Sequence, residues 1–154
     1  MVKIHRILFP TDFSQNANAA RDLACGLAEQ NDAELHLLHV IFEPTYLLPE
    51  PQFITFPNIP WEELEMAANE SLRGVLEPGM DEKLRIVRSV RRGPPFLEIL
   101  NYSQQKAIDL IVMSTHGRTG LSHLLMGSVA ENVVRKARCP VLTVHPTDHL
   151  FVQP

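Results

Sequence analysis

The sequence predicts an α/β fold in which helices cover both faces of one open, five-stranded parallel sheet. Short apolar stretches alternate along the chain with amphipathic patterns of helical period, which indicates β-α-β units with right-handed crossovers. Two of the apolar stretches, Leu35 to Ile41 and Ile108 to Met113, are almost continuous. Such stretches are typical of parallel strands that are buried on both faces. The length of 154 residues suits one domain with a sizeable core.

The first β-α-β unit is predicted from three consecutive patterns. Ile4 to Phe9 is a buried strand that ends at Pro10, and Leu35 to Ile41 is the second strand. Between them, apolar residues fall on one face of a helix, and Ser14 is its expected N-cap. These apolar residues are Ala20, Leu23, Ala24, Leu27 and Ala28.

The segment from Phe42 to Pro60 differs from the rest of the chain. It holds five prolines and almost no charge, so it cannot form a helix. It is also long for a connection in a compact domain, which favours a functional or mobile loop. A second helix is predicted to begin near Trp61 and to end at Pro78-Gly79. Its buried positions are Leu64, Ala68, Leu72, Val75 and Leu76.

The third strand and the third helix follow in turn. Leu84 to Val90 alternates apolar with polar residues, which predicts a strand that is exposed on one face and lies near a sheet edge. Gly93-Pro94-Pro95 is a sharp turn, and Pro95 suits the first turn of a helix. The buried face of that helix consists of Phe96, Ile99 and Leu100.

The last third of the chain completes the alternation. Ile108 to Met113 is the fourth strand, Val129 to Ala137 the fourth helix and Pro140 to Val144 the fifth strand. The buried helical face is Ala130, Val133, Val134 and Ala137. We expect one domain over residues 1–146, including the proline-rich loop 42–60, and a polar tail over residues 147–154. In flavodoxin-like and Rossmann-like folds of this kind, ligands bind at the carboxyl ends of the strands, where the strand order reverses.

Composition and charge exclude several classes of protein. The net charge of −4 gives no basic footprint for a nucleic acid, and no apolar run approaches the roughly 20 residues that span a membrane. The first residues are a strand rather than a signal peptide, because charges interrupt a short apolar stretch. Cys25 and Cys139 match no metal spacing. A cytoplasmic protein with two reduced thiols is therefore expected.

The segment from Ser114 to Ser128 carries the main functional signal. It follows a strand, contains a glycine-bearing loop and ends with Gly127-Ser128 at the start of a helix. Glycine lets backbone N–H groups approach an anion, and a helix N-terminus supplies unpaired donors and a positive dipole end. No Gly-Lys-Ser/Thr occurs, so this is not a Walker A loop. By spacing alone, a turn glycine followed by an ordinary helix cap remains open.

Four blocks of residues resemble the universal stress protein family over nearly the full chain. They are Arg6 to Ser14, Leu35 to Val40, the Gly93-x-Pro95 turn, and the long block from Ile111 to Val144. The ATP-binding branch of that family carries Gly, two residues, Gly, nine residues and then Gly with Ser or Thr. Gly117 and Gly127-Ser128 match this pattern, whereas Ser114 stands at the first glycine position. We expect this departure to alter the packing of the phosphates rather than to abolish binding.

The resemblance implies an adenine nucleotide alpha hydrolase-like fold and a role for each residue at an ATP site. Asp12 would lie near the ribose, next to Pro10 and Thr11, and Val40 would bond the adenine edge through its backbone. Met113 and Ser114 would pack close to the nucleotide. The phosphates would be lined by His116, Gly117, Gly127, Ser128 and Val129. Arg118 and His123 could neutralise phosphate charge or be solvated, and Mg²⁺ would be held through phosphate oxygens and Ser or Thr hydroxyls.

No protein metal site is predicted among the histidines. His145 and His149 enter a tail rather than a helix, and His36 and His39 face opposite sides of a strand. Trp61 is expected to be a packing anchor. The short apolar strand 141–144 would invite pairing with a second chain if it lies at a sheet edge. The family resemblance also implies a homodimer through this strand, and a shielding tail is the alternative.

These observations predict a cytoplasmic ATP-binding protein of the stress response that acts as a regulatory module. An unidentified protein partner would read its nucleotide state. No catalytic residues are assigned, because no Walker lysine or cluster of acidic residues is visible. Two alternatives are a slow ATP hydrolase that uses His116 as acid or base, and a non-nucleotide dimer whose proline-rich loop recruits a protein. A flavodoxin-like electron carrier is a more distant alternative.

Overall fold

Five parallel strands form one sheet in the order β3-β2-β1-β4-β5. The structure is a computed structural model and describes residues 3–42, 59–116 and 126–145. The strands are β1 (Arg6–Pro10), β2 (Glu34–Ile41), β3 (Arg85–Arg92), β4 (Leu110–Ser114) and β5 (Val141–Val144). The helices are α1 (Ala17–Asn31), α2 (Trp61–Arg73), α3 (Met80–Lys83), α4 (Pro95–Gln105) and α5 (Ser128–Lys136). The predicted fold class is confirmed.

Alternating side chains divide the core into two layers. Ile7 and Phe9 of β1 pack on one face of the sheet with residues of α1 and α2. Leu8 packs on the other face with residues of α4 and α5. Successive strand residues point to opposite faces, so a strand with apolar residues at every position must be covered on both sides. The continuous apolar pattern of β1, β2 and β4 therefore explains why helices lie on both faces.

The register places the carboxyl ends of the three central strands together. β1 pairs with β2 over its whole length, so that Pro10 lies opposite Leu38. On its other side β1 pairs with β4, where Leu8 lies opposite Ile111. The strand order reverses at β1, and the loops after β1 and β4 leave the same edge. This is the position at which open α/β sheets bind ligands.

The predicted start of α1 is wrong. Ser14 is not the N-cap, because the helix begins at Ala17 with Asn16 as its cap residue. The Ser14 backbone instead belongs to a turn: its N–H donates to Asp12 Oδ1 and its carbonyl accepts a hydrogen bond from Ala17 N–H. This extra turn lies between β1 and the helix and leaves the Ser14 side chain out of the capping position.

The predicted end of α2 is also wrong. The helix ends at Arg73 with Gly74 as its cap, and a short helix, α3, follows Gly79. Gly79 has a φ of 88°, a left-handed conformation that suits glycine and ends the turn before α3. Pro95 lies in the first turn of α4 as predicted.

Three predicted core residues are exposed on their helices. Leu23 is 39% exposed, Leu64 40% and Val134 44%. On α1 a line of small residues, Ala17, Ala20, Ala24 and Ala28, is buried against the sheet instead. Because small residues allow close approach to the sheet, the buried stripe is narrow and the flanking apolar residues lie outside it.

Both sheet-edge predictions are confirmed, since β3 and β5 are the outer strands. Within the three described ranges, no helix is both long and apolar enough to cross a membrane. Most of the proline-rich segment (residues 43–58) and the tail predicted from residue 147 lie outside the described residues. The proposed division at residue 146 therefore stays a prediction.

Candidate functional site

The carboxyl edge of the sheet brings the predicted site residues to neighbouring strand ends. Pro10 is the last residue of β1, with Thr11 and Asp12 directly after it. Val40 is near the end of β2. The remaining described residues follow from β4 into α5: Met113, Ser114, His116, Gly127, Ser128 and Val129. Gly117 and Arg118 were also predicted for the site, and they lie outside the described residues, as does His123.

The turn after β1 is tied together by its own polar groups. Phe13 N–H donates to Thr11 Oγ1 at 3.0 Å, and Ser14 N–H donates to Asp12 Oδ1 at 3.0 Å. Thr11 N–H continues the sheet pattern by donating to the Leu38 carbonyl at 2.9 Å. Asp12 is therefore held in a turn with a defined backbone, and one of its carboxylate oxygens has a fixed partner.

The junction between β4 and α5 is close-packed. Gly127 N–H donates to the Thr115 carbonyl at 2.8 Å, and Thr115 N–H donates to the Val144 carbonyl at 2.9 Å. A Cβ on Gly127 would lie 3.2 Å from the Thr115 carbonyl oxygen, which is closer than ordinary contact. Glycine thus lets the start of α5 lie against the end of β4.

Backbone donors are available at the start of α5. The first intrahelical bond runs from Glu131 N–H to the Gly127 carbonyl at 2.9 Å. The N–H groups of Ser128, Val129 and Ala130 precede it and have no acceptor within the helix. The positive end of the helix dipole lies at the same place, and Ser128 is exposed there. This end of α5 can therefore accept an anion.

Ser114 contributes its hydroxyl to the loop backbone. Its Oγ accepts the His116 N–H at 3.3 Å. A glycine at position 114 would leave that N–H without this partner. The serine is therefore compatible with the path of the loop, but it competes for a donor beside the start of α5.

Of the two ring nitrogens of His116, one has a hydrogen-bond partner among the described residues and the other has none. Its Nδ1 is 2.9 Å from Thr115 Oγ1, and its ring lies 5.3 Å from that of His145, centroid to centroid. Its Nε2 is buried and has no hydrogen-bond partner among the described residues. A buried polar nitrogen without a partner is costly, so this atom is a position where a ligand oxygen would be stabilising.

The other two histidines of interest confirm the prediction that they face opposite sides of β2. His36 Nδ1 is 2.9 Å from the Tyr102 hydroxyl, and its Nε2 is 2.8 Å from Glu34 Oε1. Burial lowers the pKa of His36, although the hydrogen bond to Glu34 opposes this shift. His39 lies on the other face, against Phe13. No group of three possible metal ligands occurs within the described parts of the chain.

Two features beside the site were not predicted from the sequence. Phe13 has a φ of 64°, a left-handed conformation that is rare for a large side chain. Phe13, Ser14 and Arg21 also line a cavity of about 210 Å³ between α1 and the end of α2. No residue pattern gives such a conformation at a phenylalanine, and the cavity depends on where α2 ends, which was predicted wrongly.

Comparison with known proteins identifies the family. The order of the strands and the carboxyl-edge site define an α/β protein of the Rossmann-like class. A model of the universal stress protein family matches residues 3–145, and the chain belongs to this family. Universal stress protein MJ0531 of Methanocaldococcus jannaschii is 36% identical over 140 residues, which cover 90% of this chain and 81% of that protein.

Solved structures give the same fold. Universal stress protein MJ0577 of the same organism is 30% identical over 155 residues, which cover 93% of this chain and 96% of that protein. Its solved structure matches with a TM-score of 0.76 at 29% identity and covers 96% of this chain and 100% of that chain. A universal stress protein in complex with cAMP has a TM-score of 0.62 at 23% identity, covering 95% and 100% of the two chains. At that identity the likeness shows the shared fold.

Proposed function

We propose that this chain binds an adenine nucleotide, ATP, at the carboxyl edge of its sheet and acts as a regulatory module in the stress response. The proposal rests on the observation that two segments, the turn after β1 and the start of α5, lie at the same edge of the sheet. The turn that holds Asp12 leaves β1, and the donors of Ser128 and Val129 begin α5 after the adjacent β4. A carboxylate suits ribose hydroxyls, and a helix N-terminus suits phosphates.

The described residues fit such a ligand. The buried Nε2 of His116 has no hydrogen-bond partner among the residues that the structure describes, and the glycine at 127 leaves no side chain between β4 and α5. The adenine edge would bond the backbone of Val40, with Pro10, Thr11 and Met113 around the nucleoside. Gly117 and Arg118 would complete the phosphate contacts. Mg²⁺ would be held through phosphate oxygens and nearby hydroxyls, of which Ser128 is one.

A relative supports the choice of an adenine nucleotide. The universal stress protein solved with cAMP has the fold described above and holds an adenine nucleotide. ATP differs from cAMP in carrying three phosphates, for which a helix N-terminus provides donors and a favourable dipole. The chain would operate inside the cell as a homodimer, with a protein partner that reads its nucleotide state.

A pair of glycine variants tests the proposal. In Gly127→Ala the added Cβ would press on the Thr115 carbonyl and move the start of α5 away from β4. We expect the Kd for ATP, measured by isothermal titration, to rise about tenfold, which corresponds to about 1.4 kcal/mol. Gly26→Ala is the matched control, because a Cβ there meets nothing within 4 Å and Gly26 lies inside α1. It should leave the Kd unchanged.

Two outcomes of these titrations would count against the proposal or against the site that it names. If the wild-type chain shows no binding of ATP, ADP or AMP at millimolar concentration, the proposed function is wrong. If ATP binds but Gly127→Ala and Gly26→Ala have the same Kd as the wild type, the ligand does not use the β4–α5 junction.

Slow ATP hydrolysis is a second candidate function, favoured by the Nε2 of His116, which has no partner within the described parts of the chain. A ring nitrogen without a partner can orient a water or a phosphate oxygen. Prolonged incubation with ATP should then yield ADP in the wild type and much less in His116→Gln. If ADP forms at equal rates in both, His116 has no part in hydrolysis. If no ADP forms at all, the chain only binds the nucleotide.

A further inference from the structure

The turn from Thr11 to Ser14 contains a strained residue next to Asp12. Phe13 has a φ of 64°, which is unfavourable for a large side chain. Such a conformation persists only where surrounding contacts hold it in place, and it is concentrated at functional positions. The contacts that hold Phe13 therefore also determine where the Asp12 carboxylate lies.

His39 of β2 contacts the residues on both sides of Asp12. Its Nδ1 donates to the Thr11 carbonyl at 2.8 Å. Its ring stacks on the Phe13 ring with centroids 4.3 Å apart and planes 27° apart. The carbonyl fixes the tautomer, because an oxygen that only accepts requires a proton on Nδ1. One imidazole thus fixes the peptide that precedes Asp12 and the side chain that follows it.

We propose that His39 is the positioning residue of this turn: it holds Thr11 and Phe13 so that the Asp12 carboxylate is oriented before a ligand arrives. Ser14 N–H then donates to Asp12 Oδ1 and keeps that orientation. Preorganised groups bind more tightly, because the cost of ordering them is met during folding. The effect of His39 on nucleotide affinity rests on the proposed function, whereas its effect on the turn does not.

Two substitutions separate the contribution of the His39 ring from that of its N–H donor. His39→Phe keeps an aromatic ring against Phe13 and removes the N–H donor. His39→Gln can keep a donor for the Thr11 carbonyl and removes the ring. His5→Gln is the control, because His5 is an exposed histidine at the opposite end of the sheet, before β1.

Native-state hydrogen exchange of the ligand-free protein tests the turn. In His39→Phe we expect the amides of Thr11, Phe13 and Ser14 to exchange about tenfold faster than in the wild type, while the amides of α4 keep their rates. His39→Gln should restore part of the protection, and His5→Gln should match the wild type. Unchanged exchange in His39→Phe, or equal acceleration throughout β2 and α4, would overturn the proposal.

A double-mutant cycle tests whether His39 affects ATP binding through Asp12. We expect His39→Phe to weaken ATP binding about five- to tenfold, and to have little effect when Asp12→Asn is already present. Additive effects of the two substitutions would show that His39 does not act through Asp12 and would overturn its role in binding. If the wild type fails to bind ATP, the proposed function fails, and the exchange measurement still decides whether His39 positions the turn.

Discussion

Ser114 stands at the first glycine position of the motif that the family resemblance implies for phosphate binding. Its hydroxyl accepts the N–H of His116, one of the backbone donors beside the start of α5. An N–H that already donates a hydrogen bond must break that bond before it can donate to a phosphate. The serine is therefore expected to lower nucleotide affinity by about the value of one weak hydrogen bond, roughly 0.5–1 kcal/mol.

Replacing Ser114 tests this competition. Ser114→Gly and Ser114→Ala both remove the hydroxyl, and only the glycine also loosens the backbone. We expect both variants to bind ATP about two- to fivefold more tightly than the wild type in equilibrium dialysis. Weaker binding by Ser114→Ala would show that the hydroxyl donates to the ligand itself, and the account of a competing hydrogen bond would then be wrong.

His36 makes the stability of the protein depend on pH. It is 2% exposed, and burial lowers its pKa below the usual value of 6.5. The neutral ring is favoured in the folded protein, so the unfolded chain binds more protons just below pH 6.5. The stabilisation is therefore complete above about pH 6.5 and is lost as the pH falls from there toward the lowered pKa of the folded state.

Denaturation at several pH values checks the direction of this pH dependence. The free energy of unfolding should fall as the pH is lowered below about pH 6.5, with a slope from this group of at most about 1.4 kcal/mol per pH unit. In His36→Gln that part of the slope should disappear, although the variant is less stable overall. His5→Gln serves as the exposed control and should keep the slope. An identical slope in wild type and His36→Gln would rule out this role for His36.

The two edge strands differ in how they meet a second chain. β3 carries four arginines, Arg85, Arg88, Arg91 and Arg92, which discourage pairing between identical edges. β5 is a short apolar strand without charge, and Leu142 is 39% exposed on it. Association of two copies is therefore expected through β5 rather than β3.

A charged substitution on β5 tests the proposed homodimer. Leu142→Lys should shift the protein from dimer to monomer in sedimentation experiments, because it places like charges across the pairing edges. Leu97→Lys on α4 is the matched control, since Leu97 is exposed to a similar degree, 43%, away from β5. A dimer that persists in Leu142→Lys, or a wild type that is monomeric at the same concentration, would contradict association through this strand.

The strands could be predicted well because the apolar pattern of each strand is visible within its own short segment. β2 and β4 are apolar on both faces, and the alternation in β3 indicates one exposed face near an edge. The helix ends were harder to predict. Ser14 is a residue type that often caps helices. Its N–H instead donates to the Asp12 side chain, which places Ser14 in an earlier turn. Gly74 ended α2 before the more conspicuous Pro78-Gly79 signal.

The sequence indicates residues of the candidate site but not the contacts that support them, and their roles at a nucleotide stay a prediction. The family resemblance indicates Asp12 through the block Arg6 to Ser14, and it indicates Gly127 and Ser128 through their spacing from Gly117. The stack of His39 on Phe13 joins a residue of β2 to one in the turn after β1, and it accompanies a left-handed φ that sequence propensity disfavours. Such contacts arise from tertiary packing, which overrides local preference and has no signature in a single sequence.

At the scale of the whole molecule, the fold brings together two segments that are distant in the chain. The turn after β1 and the start of α5 are separated by more than 100 residues, yet they leave neighbouring strands at one sheet edge. The parallel order is what makes this possible, because every strand of the sheet ends at the same edge. Under the proposed function, one adenine nucleotide would therefore contact both segments.

A titration of ¹⁵N-labelled protein with ATP, followed by NMR, tests whether one nucleotide contacts both segments. The amide signals of Thr11, Asp12, Val40, Ser128 and Val129 should shift together along one saturable curve, while amides at the opposite end of the sheet, such as His5, should stay in place. Shifts confined to one of the two segments, or to the opposite end, would contradict a shared nucleotide site, and so would a spectrum that ATP leaves unchanged.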